Sequence, residues 1–379
     1  MDWTSLINEL LRGIITLGME WPRIIMMIAG GILIWLAIAK EYEPVLLLPI
    51  GVGCILANIP LTGMNIGQHY GLFDVLYQGG IANELFPLLI FIGVGAMTDF
   101  GPLLENPRTA LLGAAGQFGI FGTLLLATFF GYTIKESASI GIIGSADGPT
   151  SIYVASKLAP HMLGPIAVAA YSYMSLVPVI QPPVMRLLTT RQHRLIKMPY
   201  TSRPVSRATR ILFPIVVTLL TGILVPLATP LISMLMFGNL LREALVVERL
   251  SKAAQNELVN VVTIFLGLAI GSTMVAERFL TVKTIGIIVM GAVAFALDTA
   301  GGLLFGQLMR ILSGNRFNPL IGAAGISAFP MSARVVHKVA QEEDFSNFLL
   351  MHAMGANTAG QIGSVLAGGV VMALLSGGS

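Results

Sequence analysis

Long apolar runs recur along the whole chain and constrain its fold more than any other feature; residues 24–39 and 285–308 form two of them. About 20 apolar residues in a helix cross the hydrocarbon core of a bilayer. Only 11% of the residues are charged, whereas soluble domains carry about 25%. A membrane β-barrel would instead show weak alternation over segments of about ten residues. We therefore predict an all-α polytopic membrane protein with about 11 membrane segments.

The apolar pattern is interrupted at residues 144–151, where the sequence reads Gly-Ser-Ala-Asp-Gly-Pro-Thr-Ser. Glycine and proline stop a helix from continuing, which leaves backbone amides and carbonyls without helical partners. At membrane depth such backbone is tolerated only inside the protein or along a wet cavity. An acid there costs about 2.5–3.5 kcal/mol on insertion scales and usually marks a transport path. The sequence therefore predicts that Asp147 binds a cation.

A second polar interruption, at residues 327–332, resembles the first. Five identical pairs align without a gap: Pro149 with Pro330, Ser151 with Ser332, Val154 with Val335, Lys157 with Lys338 and Ala159 with Ala340. We predict two structural repeats, residues 84–187 and 259–379. Their broken elements, at 137–159 and 318–340, are expected to meet near the middle of the bilayer.

The connection between the repeats decides their relative orientation. Residues 1–83 are expected to form an interfacial helix and two spans, although the helix at 1–18 is alternatively an extra packing helix. Residues 188–258 hold a basic loop and one linking span, at 211–237, which inverts the second repeat if each broken element crosses the membrane. If the elements re-enter instead, each repeat makes three crossings and both point the same way. We favour the inverted arrangement, which is known from transporters, but the sequence leaves both open.

Positive charge is concentrated between residues 186 and 210, which contain no acidic residue. The basic residues are Arg186, Arg191, Arg194, Lys197, Arg203, Arg207 and Arg210. Lys and Arg in short loops stay on the cytoplasmic side of a membrane, so this loop is predicted to be cytoplasmic. A short loop between spans does not favour a nucleic-acid patch.

Oxygen-bearing side chains cluster at both interruptions and on the last span. The candidates are Asp147, Ser145, Thr150, Ser151, Asn318, Ser327, Ser332, Asn357 and Ser364. Hard cations prefer such oxygen ligands, and a single acid suits Na⁺ or H⁺ better than a tightly held divalent ion. Zinc is disfavoured because the chain has one cysteine and its histidines, at 69, 161, 193, 337 and 352, lack ligand spacing. For each single hydroxyl, bonding to a helix carbonyl is the competing interpretation.

Asp298 lies in another apolar run and is harder to interpret. It either pairs with an Arg or Lys or serves as a second proton or ion group. The chain shows no ATP-binding, dinucleotide-binding or haem motif. Coupling energy must therefore come from an ion gradient or from a partner.

Three motifs, in order, resemble the β subunits of the sodium-pumping, biotin-dependent decarboxylases of oxaloacetate, methylmalonyl-CoA, glutaconyl-CoA and malonate. The first is the stretch 144–151. The second, 318–327, reads Asn-Pro-Leu-Ile-Gly-Ala-Ala-Gly-Ile-Ser. The third, 355–364, reads Gly-Ala-Asn-Thr-Ala-Gly-Gln-Ile-Gly-Ser. The resemblance covers nearly the whole chain, which is short for an oxaloacetate enzyme, and this favours the acyl-CoA members.

The resemblance implies site residues. The essential ion and proton group of the family falls on Asp147, and a catalytic tyrosine falls on Tyr173. The implied Na⁺ ligands are Asp147, Ser145, Thr150, Asn318, Ser327 and Asn357. Contacts to carboxybiotin are expected at Asn318, Gly322 and Lys338.

The resemblance also implies partners. A carboxyltransferase subunit would load a separate biotin carrier subunit, and a small membrane-anchored subunit would complete the complex, with a homo-oligomer as a further expectation. This chain would decarboxylate carboxybiotin and export Na⁺ with proton uptake, in contact with lipid at the bacterial inner membrane and without nucleic acid. The alternative is a stand-alone secondary Na⁺/H⁺ antiporter or Na⁺-coupled carboxylate transporter.

Overall fold

The computed structural model describes residues 3–64, 66–67, 71–200 and 204–376. His69 and Arg203, which the sequence analysis named, lie outside these ranges. Every regular element within them is helical, as predicted.

The described residues form twenty-one α-helices, numbered in chain order, and thirteen of them lie in the first half of the chain. They are α1 (Trp3–Met19), α2 (Pro22–Ala39), α3 (Pro44–Asn58), α4 (Leu72–Leu76), α5 (Leu85–Met97), α6 (Gly101–Glu105), α7 (Ala110–Ala115), α8 (Phe118–Phe129), α9 (Ile134–Gly141), α10 (Gly148–Leu158), α11 (Leu163–Ser175), α12 (Val177–Leu188) and α13 (Arg191–Arg194).

The second half holds eight more: α14 (Arg207–Leu224), α15 (Thr229–Ala244), α16 (Glu248–Ala253), α17 (Val259–Ser272), α18 (Ala276–Phe279), α19 (Val282–Leu312), α20 (Met331–Glu343) and α21 (Leu350–Ser376). Two π-helical segments, Tyr77–Ala82 and Ala254–Leu258, extend α4 and α16. Short 3₁₀ segments are Pro107–Thr109, Ile142–Ser145, Pro160–Met162, Pro226–Ala228 and Pro319–Gly325.

Six helical stretches in the described chain are long and apolar enough to cross a membrane, and eight if each of two bent pairs is one span. The six are Pro22–Ala39, Pro107–Phe129, Arg207–Leu224, Glu248–Ser272, Val282–Leu312 and Leu350–Leu375. The bent pairs are Leu72–Ala82 with Leu85–Met97, at 59°, and Pro160–Ser175 with Val177–Leu188, at 68°. The protein is therefore a multi-pass membrane protein, while the number of about 11 segments stays a prediction.

Residues 211–237, which were expected to form one linking span, lie in two helices and not in one. The chain turns at the 3₁₀ segment Pro226–Ala228, and α14 and α15 pack side by side as antiparallel helices. The start of α14 meets the end of α15, where Arg207 donates to the carbonyl oxygen of Ala244 at 2.9 Å. Proline cannot donate its backbone nitrogen to a helix, so Pro226 and Pro230 end one helix and begin the next rather than kink one long helix.

The first broken element turns back on itself. We call residues 134–162 hairpin 1: α9 and a 3₁₀ turn lead inward to Ala146, and α10 leads back. Its two ends meet where His161 Nε2 lies 3.0 Å from Glu136 Oε1. Burial raises the pKa of Glu136, but hydrogen bonds from Thr133, His161 and Lys283 outweigh it and lower that pKa to about 2. An ionised Glu136 therefore ties the ends of hairpin 1 together.

The second broken element also turns back. We call residues 318–343 hairpin 2: a 3₁₀ segment leads inward and α20 leads back. Both ends contact the basic loop, since Asn318 Nδ2 donates to the carbonyl oxygen of Arg194 at 3.0 Å and the Arg194 guanidinium lies 2.6 Å from Glu343. Lys197 contacts Asp344 at 2.8 Å. This contact and the hydrogen bonds from Ser346 lower the pKa of Asp344 to about 2, and the contact with Lys197 has the largest effect. The basic loop is thus held on hairpin 2 by ion pairs.

The two hairpins begin at opposite ends of the molecule, and their contacts with the two ends of α19 show how far apart these ends are. Lys283, near its start, lies 3.3 Å from Glu136 of hairpin 1. Gln307, near its end, donates to the carbonyl oxygen of Leu188 beside the basic loop at 3.0 Å. A rise of 1.5 Å per residue puts these positions about 36 Å apart. Both elements turn back to the end of the molecule at which they begin, and their tips meet where the Ser327 amide donates to the Ser145 carbonyl at 2.9 Å.

Candidate functional site

Asp147 is placed by the break in hairpin 1. The 3₁₀ turn ends at Ala146, whose φ of 53° lies in the left-handed region, and α10 begins at Gly148 with Pro149 in its first turn. Asp147 is the N-cap residue: its Oδ1 accepts from the Thr150 amide at 3.2 Å. This cap satisfies a helix-end donor and aims the other carboxylate oxygen at hairpin 2.

Three side-chain oxygens meet at the tips of the hairpins. Asp147 Oδ2 lies 2.6 Å from Ser364 Oγ and 3.1 Å from Ser327 Oγ, and the two serine oxygens are 3.2 Å apart. All three residues are at most 5% exposed. Each hydroxyl has one proton, so the cluster offers several lone pairs around a single negative charge. Such a group is suited to exchange a proton for a small cation.

Helix α21 supplies one polar stripe that holds the tips. Asn357, Gln361 and Ser364 are spaced four and three residues apart, so they share a face of the helix. Asn357 Nδ2 donates to the Ile326 carbonyl at 2.7 Å, and Gln361 Nε2 donates to the Ser327 carbonyl. The stripe therefore binds the backbone of hairpin 2 and presents Ser364 to Asp147.

A cavity of about 470 Å³ leads to this cluster. Asp147, Tyr171 and Ser327 are at most 5% exposed and line its inner part, whereas the more exposed Glu43 and Met97 line its outer part. Most of the other lining side chains are apolar. A hydrophobic cavity that ends on a carboxylate keeps that charge in a medium of low dielectric constant, where a bound cation is held strongly.

The outer end of the cavity lies at the end of the molecule that carries the basic loop. The far end of α3 is fixed by Asn58, whose side chain donates to the Met274 carbonyl at 2.8 Å, shortly before the start of α19. Met97, which lines the outer part of the cavity, accepts through its carbonyl from Arg242 at 2.7 Å, near the end of α15 that Arg207 contacts. Arg207 is one of the residues of the basic loop.

The donors fit a small monovalent cation. Among the buried side-chain oxygens that make no hydrogen bond within the described chain, three belong to residues around the cluster: Thr150 Oγ1, the Tyr171 hydroxyl and Asn357 Oδ1. Among the residues that the structure describes, no three His, Cys, Asp or Glu side chains come together as a metal site. One carboxylate with neutral oxygens balances one positive charge, whereas a divalent ion would leave an uncompensated charge in an apolar region.

One of the predicted ligands, Asn318, lies elsewhere. Asn318 caps the start of hairpin 2: its Nδ2 donates to the carbonyls of Arg194 and Ile196, and its Oδ1 accepts from the Leu320 amide. It stands at the basic loop, and the 3₁₀ segment separates it from Ser327. The structure therefore gives Asn318 an anchoring contact and does not bring it to Asp147.

The predicted carboxybiotin contacts are scattered. Gly322 is fully enclosed, because an added Cβ would overlap the carbonyl oxygen of Gly302 on α19. Its lack of a side chain serves close packing of hairpin 2, and the structure gives no surface there for carboxybiotin. Lys338 is exposed on α20, about three helical turns from the tip. Only Lys338 therefore lies at a surface.

Tyr173 packs away from the cavity. Its hydroxyl donates to the Ile288 carbonyl on α19, and its ring covers Gly291. Its catalytic role stays a prediction. Tyr171, two residues earlier, lines the cavity, and an added Cβ on Gly148 would lie 2.6 Å from its hydroxyl. The sequence analysis did not name Tyr171 as a site residue. The available signal was Gly148 next to Asp147, whose missing side chain leaves room for a large neighbour.

The other predicted residues surround the cluster. Ser145 Oγ donates to the Ile142 carbonyl at 2.7 Å, so this hydroxyl bonds to a helix carbonyl and not to Asp147. The carbonyl of Ser145 accepts from the Ser327 amide and thereby joins the two tips. Thr150 contributes its amide to Asp147. Ser332 binds Gln181 and the Ala323 carbonyl, both at 3.0 Å, and braces hairpin 2. The structure thus brings Asp147, Ser327 and Ser364 into direct contact, with Thr150 and Asn357 beside them.

Asp298 has no cationic partner in the described chain. Its Oδ1 accepts from the Ile120 amide at 3.0 Å, in the first turn of α8, and its Oδ2 makes no hydrogen bond. Free amides at a helix start attract an acceptor, so Asp298 caps α8 at the break that follows α7. Pairing with an Arg or Lys is therefore wrong, and a role as a proton or ion group stays a prediction.

Comparison with known proteins gives one consistent family. The family model described as "Na+-transporting oxaloacetate decarboxylase beta subunit" matches residues 22–375. The chain is 56% identical to the glutaconyl-CoA decarboxylase subunit beta of Acidaminococcus fermentans, over 94% of each chain. It is also 56% identical to the methylmalonyl-CoA decarboxylase subunit beta of Veillonella parvula, over 93% of each. It is 48% identical to the oxaloacetate decarboxylase beta chain of Klebsiella pneumoniae, over 97% of this chain and 98% of that one.

Proposed function

Because the chain belongs to the family of β subunits of Na⁺-transporting decarboxylases, we propose that it decarboxylates carboxybiotin and couples that step to Na⁺ export with proton uptake. The observation that carries the proposal is the contact of Asp147 with Ser327 and Ser364 where the tips of the two hairpins meet. The site has one ionisable group and neutral oxygen donors, and the cavity gives an ion access to it. The higher identity to the two acyl-CoA relatives supports an acyl-CoA substrate for the complex.

We propose an inverted topology with ten crossings, made by α2, α3, α5, α7–α8, α11–α12, α14, α15, α16–α17, α19 and α21. Each of the two repeats then has three crossings and one hairpin. The three crossings of the first repeat and the two linking helices α14 and α15 give five crossings between the starts of the two repeats. Because five is an odd number, the second repeat is inverted relative to the first. The basic loop sets its own side as cytoplasmic. Hairpin 1 then enters from outside and hairpin 2 from the cytoplasm.

In the proposed cycle, Na⁺ from the cytoplasm enters the cavity and binds the ionised carboxylate of Asp147. The hydroxyls of Ser327 and Ser364 turn their lone pairs toward the cation. A proton that replaces Na⁺ neutralises Asp147, so that the two ions compete for one group.

Decarboxylation consumes that proton. The bond between the carboxylated ureido nitrogen of biotin and the carboxyl carbon breaks, its electron pair stays on nitrogen, and CO₂ leaves while nitrogen takes the proton. Asp147 supplies the proton and returns to its ionised form. This exchange links each decarboxylation to an empty, charged Na⁺ site.

Biotin itself is proposed to arrive on a partner, because the chain contains no Ala-Met-Lys-Met biotinylation motif. The proposed partners are a biotin carrier subunit, a carboxyltransferase subunit and a small membrane-anchored subunit. The exposed Lys338 on hairpin 2 lies at the cytoplasmic end of the proposed topology. That is the face at which a soluble carrier would dock.

The proposal is tested with the whole purified complex in liposomes. Adding the acyl-CoA substrate outside should drive ²²Na⁺ into vesicles whose cytoplasmic face points outward, and avidin, which sequesters biotin, should stop both reactions. Decarboxylation that proceeds at one rate with and without Na⁺ would contradict the proposal. Na⁺/H⁺ exchange by this chain alone, at the rate of the complex, would instead establish the secondary transporter.

The serines should set the affinity for Na⁺. Ser364→Ala and Ser327→Ala each remove one oxygen next to Asp147, and a contact to a charged partner contributes about 1.5 kcal/mol. We expect the half-saturating Na⁺ concentration to rise about tenfold in each variant. Initial decarboxylation rates over a Na⁺ series measure it. Ser156→Ala is the control, since Ser156 Oγ only binds the Tyr153 carbonyl; equal half-saturation in all three variants would refute the ligand role.

A further inference from the structure

A second carboxylate, Glu43, lies in the same cavity as Asp147. Glu43 precedes α3 at the outer part of the cavity, and Asp147 closes the inner part. The described lining contains no Lys, Arg or His side chain, so these two acids are its only charged groups. An apolar cleft with charges of one sign focuses the electric field and concentrates counter-ions, here cations.

Glu43 lacks the partner that comparable glutamates have. It is partly buried, and within the described chain its carboxylate makes no ion pair and no hydrogen bond. Four other glutamates with little side-chain exposure all have basic partners: Glu84 (14%) with Lys157, Glu136 (7%) with Lys283, Glu243 (12%) with Arg210 and Glu343 (17%) with Arg194. An acid withdrawn from water without a partner is costly, and burial raises the pKa of Glu43. A cation beside it would supply the missing charge.

Tyr171 connects the two acids. Its side chain is 2% exposed, its hydroxyl makes no hydrogen bond in the described chain, and it lies within electrostatic range of both Asp147 and Glu43. A hydroxyl oxygen is a neutral ligand for a hard cation. The cavity therefore offers oxygen donors at its outer part, along its wall and at its inner end.

We propose that Glu43, with the Tyr171 hydroxyl beyond it, forms a transient monovalent-cation site that captures Na⁺ from the cytoplasm and passes it to Asp147. The inference rests on the proposed function, because it assigns the access path to the same transport site. One carboxylate and few ligands make a weak site, and a weak site suits an ion that must move on.

The test compares Glu43→Gln with the wild-type complex in liposomes. The amide keeps the size of the side chain and removes its charge. We expect the half-saturating Na⁺ concentration for decarboxylation and ²²Na⁺ uptake to rise three- to tenfold at low ionic strength, the order of effect of one focusing charge. The rate at saturating Na⁺ should stay near that of the wild type. Raising the ionic strength with choline chloride should shrink the difference.

Two further variants make the result decisive. Glu43→Asp keeps the charge and should restore at least half of the lost apparent affinity. Glu41→Gln removes an exposed charge from the same turn, outside the cavity, and should leave the half-saturation unchanged. Wild-type half-saturation in Glu43→Gln, or an equal shift in Glu41→Gln, would overturn the capture site. A wild-type complex without any Na⁺ stimulation would instead overturn the proposed function itself.

Discussion

Asp147→Asn should abolish Na⁺-stimulated decarboxylation and ²²Na⁺ uptake together, lowering both at least 100-fold. Asparagine has almost the size of aspartate, so the cap on Thr150 and the contact with Ser327 can persist. What is lost is the charge that is proposed to bind Na⁺ and the group that is proposed to carry the proton. Leaving a buried cation without its anion costs about 3–5 kcal/mol, which is more than two factors of ten in rate or affinity.

A matched control separates this loss from a general effect of charge. Asp99→Asn removes an acid at a helix start, where Asp99 Oδ1 accepts from the Gly101 amide at 2.8 Å and its other oxygen lies 3.5 Å from Arg242. Its activity should stay within a factor of two of the wild type, since surface ion pairs contribute about 0–1 kcal/mol. Persistent ²²Na⁺ uptake in Asp147→Asn at normal protein levels would remove Asp147 from the transport site.

The broken elements could be predicted from the sequence because their cause is local. Glycine, proline and hydroxyl residues at 144–151 and 327–332 cannot continue a helix in an apolar setting, and the structure breaks near Ala146 and again before α20. Whether a broken helix crosses or returns depends on what its far end contacts. That information lies in pairs such as Glu136 with Lys283, 147 residues apart, which no local pattern shows.

The linking segment at 211–237 could not be predicted correctly from its local sequence pattern. An apolar run from 211 to 237 fits one long kinked helix as well as two short ones. Its three prolines, at 214, 226 and 230, fit kinks in one long helix equally well. In the structure the turn at Pro226–Ala228 allows α14 and α15 to pack along each other, with Arg207 at the end of α15. Tertiary packing decides between the two, and this changes the argument for inversion. The proposed inverted order therefore rests on two linking helices and on hairpins that are proposed to re-enter the membrane, and no longer on one linking span.

Within the site, too, the sequence could not show that Asp147 and Ser327 come together while Asn318 lies elsewhere. All three lie in conspicuous polar motifs, but only the tip of each hairpin reaches the middle of the protein. Asn318 stands nine residues before Ser327 and therefore at the open end of its hairpin. Tyr171 and Tyr173 differ in the same way: two residues on a helix point about 200° apart, so one faces the cavity and the other faces α19.

The close approach of hairpin 2 to α19 explains why the site can be held by so few polar bonds. Gly322 and Gly302 face each other, and a Cβ on either would overlap the carbonyl oxygen of the other. Helices without side chains at their contact approach closely and gain van der Waals contact, the main attraction between helices in lipid. This contact fixes the 3₁₀ segment of hairpin 2, and with it the position of Ser327 opposite Asp147.

Gly322→Ala should therefore destabilise the protein by about 3 kcal/mol and weaken Na⁺ binding, although residue 322 touches no ligand. The added methyl must push hairpin 2 away from α19, because the atom it meets is backbone and cannot rotate aside. Thermal unfolding followed by size-exclusion chromatography measures the stability, and the Na⁺ series measures the site. Gly122→Ala on α8 is the matched control: its Cβ would meet only Leu297 Cδ1, at 3.7 Å, and alanine is the better helix former. Wild-type stability and Na⁺ half-saturation in Gly322→Ala would show that Ser327 is positioned without the contact to Gly302, leaving the stripe on α21 as its sole support.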